Sequence, residues 1–321
     1  MGCGEGDLAY DGTILMQRPL VIGTRASPLA LAQAEETRDR LVSALGLAPD
    51  AVTLEPMRTT GDAIQDRALS QAGGKGLFTK ELDAALIEGR IALAVHSAKD
   101  LPTRLPDELV IAGYLPREDV RDALVSPRAG SIAALPAGAV VGTASLRRGA
   151  QVRRLRPDIG VELLRGNVGT RLAKLESGAM DATLLALAGL KRLGLAHHAA
   201  AILETDDFLP AVGQGAIAIT ARRDDAATLS AIARITDPAA GTTLAAERAF
   251  LTVLDGSCRT PIAGHARLEG GRLRFRGLVL RPDGSEAVEV SREGAADDAE
   301  ALGRDAGEDL RARLPAGFLA V

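Results

Sequence analysis

Three arginines stand where two predicted helices should begin. Arg147 and Arg148 follow the strand-like segment 140–142 and a short polar turn, and Arg171 follows the strand-like segment 161–164 in the same way. A helix N-terminus presents unpaired N–H groups and the positive end of the helix dipole, so arginine is unfavourable there. The pattern indicates either an external anion held by these guanidinium groups or ion pairs with acids elsewhere in the fold.

The charge of the chain is unevenly distributed. The formal net charge is -4, yet between Val140 and Arg192 ten basic residues stand against four acids. Aromatic residues make up 2% of the chain and tryptophan is missing, which leaves little for stacking on nucleic-acid bases. The basic segment therefore favours small anionic ligands over nucleic acid.

Two other residues have the chemistry of a reaction centre. Asp100 follows Lys99 in a loop after the strand-like segment 91–95, at the kind of strand end where α/β sheets bind ligands. Its carboxylate fits general acid–base catalysis or stabilisation of a cation, and it equally fits a cap on its own turn. Cys258 lies in a polar turn beside Arg259, where a cysteine is either a nucleophilic thiolate or an inert thiol.

Cysteine and histidine usage predicts neither a disulfide framework nor a metal site. The two cysteines are Cys3 and Cys258, and the first lies in an N-terminal extension with no clear pattern. The four histidines show no spacing typical of metal ligands. No metal is therefore predicted.

The alternation of strand-like and helix-like segments predicts an α/β fold with several domains over 321 residues. The third domain is predicted to contain a helix at 244–254, the loop with Cys258, a three-strand meander at 263–290 and a terminal helix. The strand after residue 216 is expected to return to the first domain. The predicted division is a loose extension at 1–18, domain 1 at 19–115 plus 216–236, domain 2 at 120–210, and domain 3 at 237–321.

The first two domains share a short sequence echo. Gly23-Thr24 and Gly142-Thr143 each end a strand and precede a helix, which predicts two α/β units with helix N-termini directed at a shared cleft.

No apolar run is long enough to span a bilayer, and the first 18 residues lack the pattern of a secretion signal. A cytoplasmic location is expected.

Six motifs and the cysteine loop together resemble one known family. The motifs are GTRASPLA at 23–30, GGKGLF at 73–78, HSAKDLP at 96–102, SLRR at 145–148, LRGNVGTR at 164–171 and GLKR at 189–192. From about Leu20 onward the chain resembles the porphobilinogen deaminase family, also called the hydroxymethylbilane synthase family. The resemblance implies three α/β domains, of which the first two resemble the lobes of periplasmic binding proteins with a cleft between them. It implies that the third is a small domain whose three-stranded sheet carries the cofactor cysteine.

The implied activity is that of a transferase in tetrapyrrole (porphyrin and heme) biosynthesis. Such an enzyme condenses four porphobilinogen molecules head to tail, releases ammonia each time, and hydrolyses off linear hydroxymethylbilane. The family uses a dipyrromethane cofactor, which by motif match is joined to Cys258 through a thioether. By the same match Asp100 is the catalytic carboxylate, which stabilises the positively charged methylene-pyrrole.

The resemblance also implies which residues bind the pyrrole carboxylates. The cofactor-binding residues, besides Cys258, are Lys99, Ser145, Arg147, Arg148, Gly169 and Arg171. The substrate-binding residues are Arg25, Ser27, Arg165, Arg171 and Arg192, while Lys75 and Phe78 belong to a lid or loop. Each pyrrole unit carries two carboxylates, so a growing chain requires an array of guanidinium groups.

Two departures and two alternatives accompany this interpretation. Ser257 and Ala98 differ from residues common in the family, and neither change removes a chemical group. The main alternative is a two-lobed binding protein for carboxylated small molecules, which would need no tethered cysteine. The other is nucleic-acid binding by the basic segment. The expected partner is porphobilinogen alone, without nucleic acid or membrane, and the expected state is a monomer.

Overall fold

The computed structural model of the chain describes residues 19–63, 76–254, 260–315 and 317–318. Within those ranges thirteen strands form three sheets. In chain order the strands are β1 (Leu20–Arg25), β2 (Val52–Met57), β3 (Leu93–Ser97), β4 (Leu109–Tyr114), β5 (Asp122–Val125), β6 (Val140–Gly142), β7 (Gly160–Glu162), β8 (Ala182–Ala186), β9 (Ala201–Leu203), β10 (Ile217–Arg222), β11 (Ile262–Glu269), β12 (Arg272–Leu280) and β13 (Ala287–Ala295). The helices are α1 (Pro28–Leu45), α2 (Thr60–Ala63), α3 (Lys80–Ile87), α4 (Leu146–Leu155), α5 (Val168–Glu176), α6 (Leu187–Arg192), α7 (Ala226–Ala233), α8 (Pro238–Val253) and α9 (Ala299–Arg313).

The first sheet has the strand order β2-β1-β3-β10-β4. Strands β1, β2 and β3 are parallel, whereas β10 runs antiparallel to both of its neighbours. Ile22, Leu93 and Ile219 are fully buried in this sheet and belong to one apolar cluster with Leu41 of α1. Strand β10, which follows residue 216, lies between β3 and β4 in this sheet.

The second sheet has the order β7-β6-β8-β5-β9. Its parallel core of β6, β7 and β8 follows the predicted βαβ pattern. Strand β5 is antiparallel to both β8 and β9, which the alternation of elements did not indicate. Strands β1 and β6 precede α1 and α4, so the Gly-Thr echo marks equivalent places in the two sheets.

The third sheet is an antiparallel meander, β11-β12-β13, packed against α8 and α9. Phe250 of α8 contacts Phe275 of β12 with 4.9 Å between ring centroids. Helix α8 begins six residues earlier than predicted, because the Asp237 side chain accepts from Ala239 N and Pro238 occupies the first turn. The α/β class and the three-stranded sheet of the third unit are confirmed.

A buried ion pair joins the first two sheets to the third unit. Glu247 of α8 is 0% exposed and pairs with Arg117, whose Nη1 and Nη2 lie 2.7 and 3.0 Å from the two carboxylate oxygens. The same carboxylate accepts from Gly213 N at 2.7 Å and from Ala266 N at 2.9 Å. Arg117 and Gly213 lie on the two chain segments that cross between the sheets, so one buried carboxylate anchors both crossings and β11.

None of the helices in the described ranges has the length and apolar character that crossing a bilayer requires.

Candidate active site

A cleft of about 740 Å³ lies where the three sheet units meet. Its walls are formed by the turn after β1, the turn after β3, the first turns of α4 and α5, and the crossing segment near residue 212. Leu251, Thr260 and Ile262 add a wall from the third unit. The cleft is therefore bordered by all three.

Arg25 is the last residue of β1, and its side chain lines the cleft. Ser27 caps α1 by accepting from Ala30 N, and the chain turns so that the Arg25 side chain reaches two acids. Its guanidinium pairs with Asp62 and lies 3.5 Å from an oxygen of Asp100. It also lies over the Phe78 ring, 4.1 Å from the centroid. Of the predicted loop residues, Phe78 thus lines the cleft, and Lys75 lies outside the described residues.

Asp100 lies in a single 3₁₀ turn, Ala98–Asp100, that follows β3 directly. Its side chain is 27% exposed and lines the cleft, and Arg25 is its hydrogen-bond donor. The neighbouring Lys99 donates from Nζ to Gln214 Oε1 at 3.4 Å. Gly213 has φ of 75° and packs on this turn, where an added Cβ would lie 2.9 Å from Lys99 N. Arg25 therefore contacts this turn at Asp100, and Gly213 and Gln214 contact it at Lys99.

Arg147 and Arg148 are buried and share one internal acid. Arg147 Nη1 lies 2.8 Å from Asp122 Oδ2, and Arg148 Nη2 lies 2.6 Å from Asp122 Oδ1. Gln214 Nε2 also donates to Asp122, at 2.9 Å. Burial alone would raise the pKa of Asp122, but the two arginines hold that pKa far below its usual range. Of the two alternatives that the sequence left open, these two arginines therefore show the ion pair with an acid of the fold.

The cleft still carries more positive than negative charge. Lys99, Arg147 and Arg148 surround the single carboxylate of Asp122, and Arg147 Nε is buried without a hydrogen-bond partner among the described residues. Burial lowers the pKa of Arg171 to about 10, and Arg148 and Arg165 act in the same direction. Such crowding of cations is relieved by a bound anion. The donor set therefore fits a ligand that carries several carboxylates.

The first turn of α5 adds the opposite wall. Asn167 caps the helix by accepting from Thr170 N at 2.9 Å, and Arg171 donates from Nε to Gly166 O at 2.9 Å. Arg165 and Arg171 both line the cleft, as do Ser27 and Ser145. Gly169 belongs to this turn without being one of the lining residues.

Arg192 lies apart from the other predicted residues. Its Nε lies 3.3 Å from Glu36 Oε2, and its Nη2 donates to Gly215 O at 3.2 Å. It is not among the lining residues of the cleft, and it joins α6 to α1 instead. Its predicted role in substrate binding stays a prediction.

Cys258 lies outside the described residues. Leu251 and Thr260, which precede and follow the segment 255–259 in sequence, both line the cleft. Among the residues that the structure does describe, no cluster of histidine, cysteine and acidic groups is suited to a metal ion.

Four residues of the site were not found from the sequence. Asp122 is the one with a usable signal, because an acid next to the apolar run 123–125 must find a cation if it is buried. Asp62 and Gln214 gave no signal, since their partners are distant in the chain. Arg58, which follows β2 directly, also lines the cleft.

The protonation of Lys99 gives a pH-dependent prediction for the cofactor-free protein. Burial lowers the pKa of Lys99 to about 8, with Arg148 acting in the same direction and Asp100 opposing it. An unfolded lysine keeps its proton until about pH 10.4. The folded form therefore binds fewer protons between these values, so its stability relative to Lys99→Met should rise as the pH increases through this window. Urea unfolding of both proteins across the window measures this, and parallel profiles would contradict it.

The fold and the site together define an α/β protein with a cationic cleft for a polycarboxylate ligand. Residues 20–230 match the family model described as "Porphobilinogen deaminase, dipyromethane cofactor binding domain", and residues 242–312 match "Porphobilinogen deaminase, C-terminal domain". The chain belongs to the porphobilinogen deaminase family. This confirms the predicted enzyme class and reaction: a transferase that condenses porphobilinogen to hydroxymethylbilane on a dipyrromethane cofactor.

Two curated relatives are similar over most of their length. Porphobilinogen deaminase of Nitrobacter winogradskyi is 61% identical over 297 residues, which are 92% of this chain and 94% of that protein. The enzyme of Paracoccus denitrificans is 56% identical over 302 residues, with 94% and 96% covered. Among solved structures, a periplasmic substrate-binding protein of an ABC transporter from Coxiella burnetii has a TM-score of 0.44 and 14% identity over 70% of this chain and 94% of that one.

Proposed function

We propose that the cleft holds the growing pyrrole chain, with Asp100 as the catalytic carboxylate and the surrounding cations as its carboxylate-binding surface. The observation that carries this proposal is the position of Asp100. It lies in the cleft beside Lys99 and Arg25, and Arg147, Arg148, Arg165 and Arg171 line the same cleft. A carboxylate placed among cations that bind the substrate's own carboxylates is suited to stabilise a cation that forms between them.

The roles of the binding residues follow from their chemistry. Guanidinium groups bind carboxylates through two parallel hydrogen bonds, and a half-buried cleft strengthens each of them. Lys99, Ser145, Arg147, Arg148, Gly169 and Arg171 are assigned to the cofactor, and Arg25, Ser27, Arg165, Arg171 and Arg192 to the substrate. Arg147 and Arg148 are held in place by Asp122, so they present fixed donors. Fixed donors orient a ligand without a reorganisation cost.

The dipyrromethane cofactor, joined to Cys258 by a thioether, supplies the nucleophilic pyrrole carbon on which the chain grows. Asp100 stabilises the positive charge that develops on the substrate as ammonia leaves. Arg25 contacts both Asp62 and Asp100 and so fixes the position of the catalytic carboxylate. Leu251 and Ile262 contribute apolar surface to the cleft.

Intact mass spectrometry tests the attachment site. The purified protein should carry the added mass of one dipyrromethane unit, Cys258→Ser should show its sequence mass alone and no turnover, and the matched control Cys3→Ser should keep both the added mass and the activity. The expected difference is complete, because a hydroxyl at this position is a far weaker nucleophile than a thiolate. A loaded, active Cys258→Ser protein would contradict the assignment.

The proposal also covers the domain division, the location and the partners. Domain 1 at 19–115 plus 216–236, domain 2 at 120–210 and domain 3 at 237–321 are supported by the membership of the three sheets. We also expect a cytoplasmic monomer without nucleic-acid or membrane partners, which the low aromatic content supports for nucleic acid. Sedimentation and salt-dependent retention on DNA test the oligomeric state and the nucleic-acid prediction.

A further inference from the structure

Helix α8 packs against the turn that carries Asp100. Leu101, directly after Asp100, is buried in an apolar cluster with Ala240 and Leu244 of this helix. Further along the same helix, Leu251 lines the cleft, and the helix ends at Val253, just before the segment that contains Cys258. One helix thus contacts the Asp100 turn and precedes the proposed attachment residue in sequence.

Arg248 of α8 binds the chain immediately after that turn. Its Nη2 donates to Pro102 O at 2.8 Å and to Thr103 O at 3.3 Å. Hydrogen bonds from a charged donor are stronger than those between neutral groups, and Arg248 is half-buried, so water competes less for these carbonyls. The Arg248 side chain therefore holds the segment after Asp100 against α8 through the backbone carbonyls of that segment, so the contact does not depend on the side chains of residues 102 and 103.

The preceding residue, Glu247, supports the other side of the same turn. It accepts from Gly213 N at 2.7 Å, and Gly213 packs directly on the backbone of Ala98 and Lys99. Two consecutive residues of α8 therefore support the turn: Glu247, through Gly213, on the residues before Asp100, and Arg248 on the residues after it. Glu247 also anchors both crossing segments, so its substitution would disturb the whole fold, whereas the Arg248 bonds are confined to residues 102 and 103.

We propose that Arg248 is a positioning residue for Asp100. It holds the segment 98–103 against α8 and thereby fixes the position of the Asp100 carboxylate in the cleft. The proposal rests on the catalytic role of Asp100. Arg248 is not among the residues that line the cleft, so it acts through the backbone of the turn and not on the substrate.

Arg248→Met tests this with a matched control, Arg223→Met. Arg223 makes the same kind of contact at the far end of the same connection, from Nε to Asp107 O at 3.1 Å and from Nη2 to Leu109 O at 3.2 Å. For holoenzyme whose cofactor content is verified by intact mass, Arg248→Met should lower kcat about 10-fold or more with KM within about 2-fold, because small displacements of a catalytic group are costly. Arg248→Lys, which keeps one charged donor, should recover part of the loss, and Arg223→Met should retain the parental kcat.

A double-mutant cycle separates positioning from general stability. If Arg248 acts through Asp100, then Arg248→Met should have little further effect on the residual rate of Asp100→Asn. Three outcomes would each overturn the proposal. They are an unchanged kcat per holoenzyme in Arg248→Met, an equal loss of kcat in Arg223→Met, and additive losses of kcat in the double variant. Should Arg248→Met fail to fold, the same comparison with Arg248→Lys decides, and a parental kcat there overturns it. If Asp100→Asn loses kcat and the Arg248 variants do not, only the positioning role of Arg248 is rejected. If Asp100→Asn stays active, the catalytic role of Asp100 itself is rejected.

Discussion

Asp100→Asn is expected to lower turnover about 100-fold or more while the protein keeps its fold and its cofactor. The substitution retains the size of the side chain and removes the negative charge. That charge lies in the cleft beside Arg25 and Lys99, where the substrate cation is proposed to form. Rate measurements with porphobilinogen, normalised to cofactor content by intact mass, give the effect.

Asp62→Asn provides the matched control for this experiment. Asp62 pairs with the same Arg25 guanidinium and also lines the cleft, so its substitution removes an acid partner of Arg25 without touching Asp100. We expect Asp62→Asn to raise KM and to lower kcat far less than Asp100→Asn does, since a less firmly held Arg25 binds substrate and positions Asp100 less well but the Asp100 carboxylate is retained. Near-parental turnover in Asp100→Asn, or an equal loss of kcat in both variants, would contradict the catalytic assignment.

Asp122→Asn is expected to destabilise the cofactor-free protein by about 3–5 kcal/mol, the usual cost of removing one partner from a buried ion pair. Asp122 is 0% exposed and compensates two arginines that are themselves buried. Without it, Arg147 and Arg148 would be two like charges in a desolvated site. Denaturant unfolding at neutral pH measures the change in the free energy of unfolding.

The control for Asp122 is an ion pair of similar geometry on the surface. Asp158 Oδ2 lies 2.6 Å from Arg156 Nη2, and the Asp158 side chain is 44% exposed. Asp158→Asn should leave the unfolding midpoint close to the parental value, because water screens exposed pairs. The loss in Asp122→Asn should be smaller in holoenzyme, since cofactor carboxylates bound to these arginines would restore part of the missing negative charge. Equal midpoints for the two variants would show that the buried cluster does not depend on Asp122.

Local features of the fold could be predicted from the sequence because their causes lie within a few residues. Ser27 with Pro28 starts α1, and Asn167 caps α5 through Thr170 N. Gly270 and Gly271 adopt positive φ at the turn between β11 and β12. The strand orientations were less accessible, because β5 and β10 look locally like the parallel strands beside them.

The candidate site could be predicted in part. The arginines at the starts of α4 and α5 indicated an anion-binding cleft, and Arg147, Arg148 and Arg171 all line it. The sequence left open which of them pair within the fold. Asp122 lies 26 residues before Arg148, and it meets that side chain because β5 enters the second sheet beside β8. The pairing therefore depended on a strand order that local patterns do not encode.

The sequence by itself determined the residue types for the chemistry, the family, and the starts of the helices that carry the cations. The tertiary structure decided which charges compensate one another: Asp122 with Arg147 and Arg148, and Glu36 with Arg192. The physical reason is the separation along the chain of the residues that interact. Caps and turns are local hydrogen bonds, whereas the charge balance of a cleft depends on side chains from distant segments that meet only after the three sheets have packed.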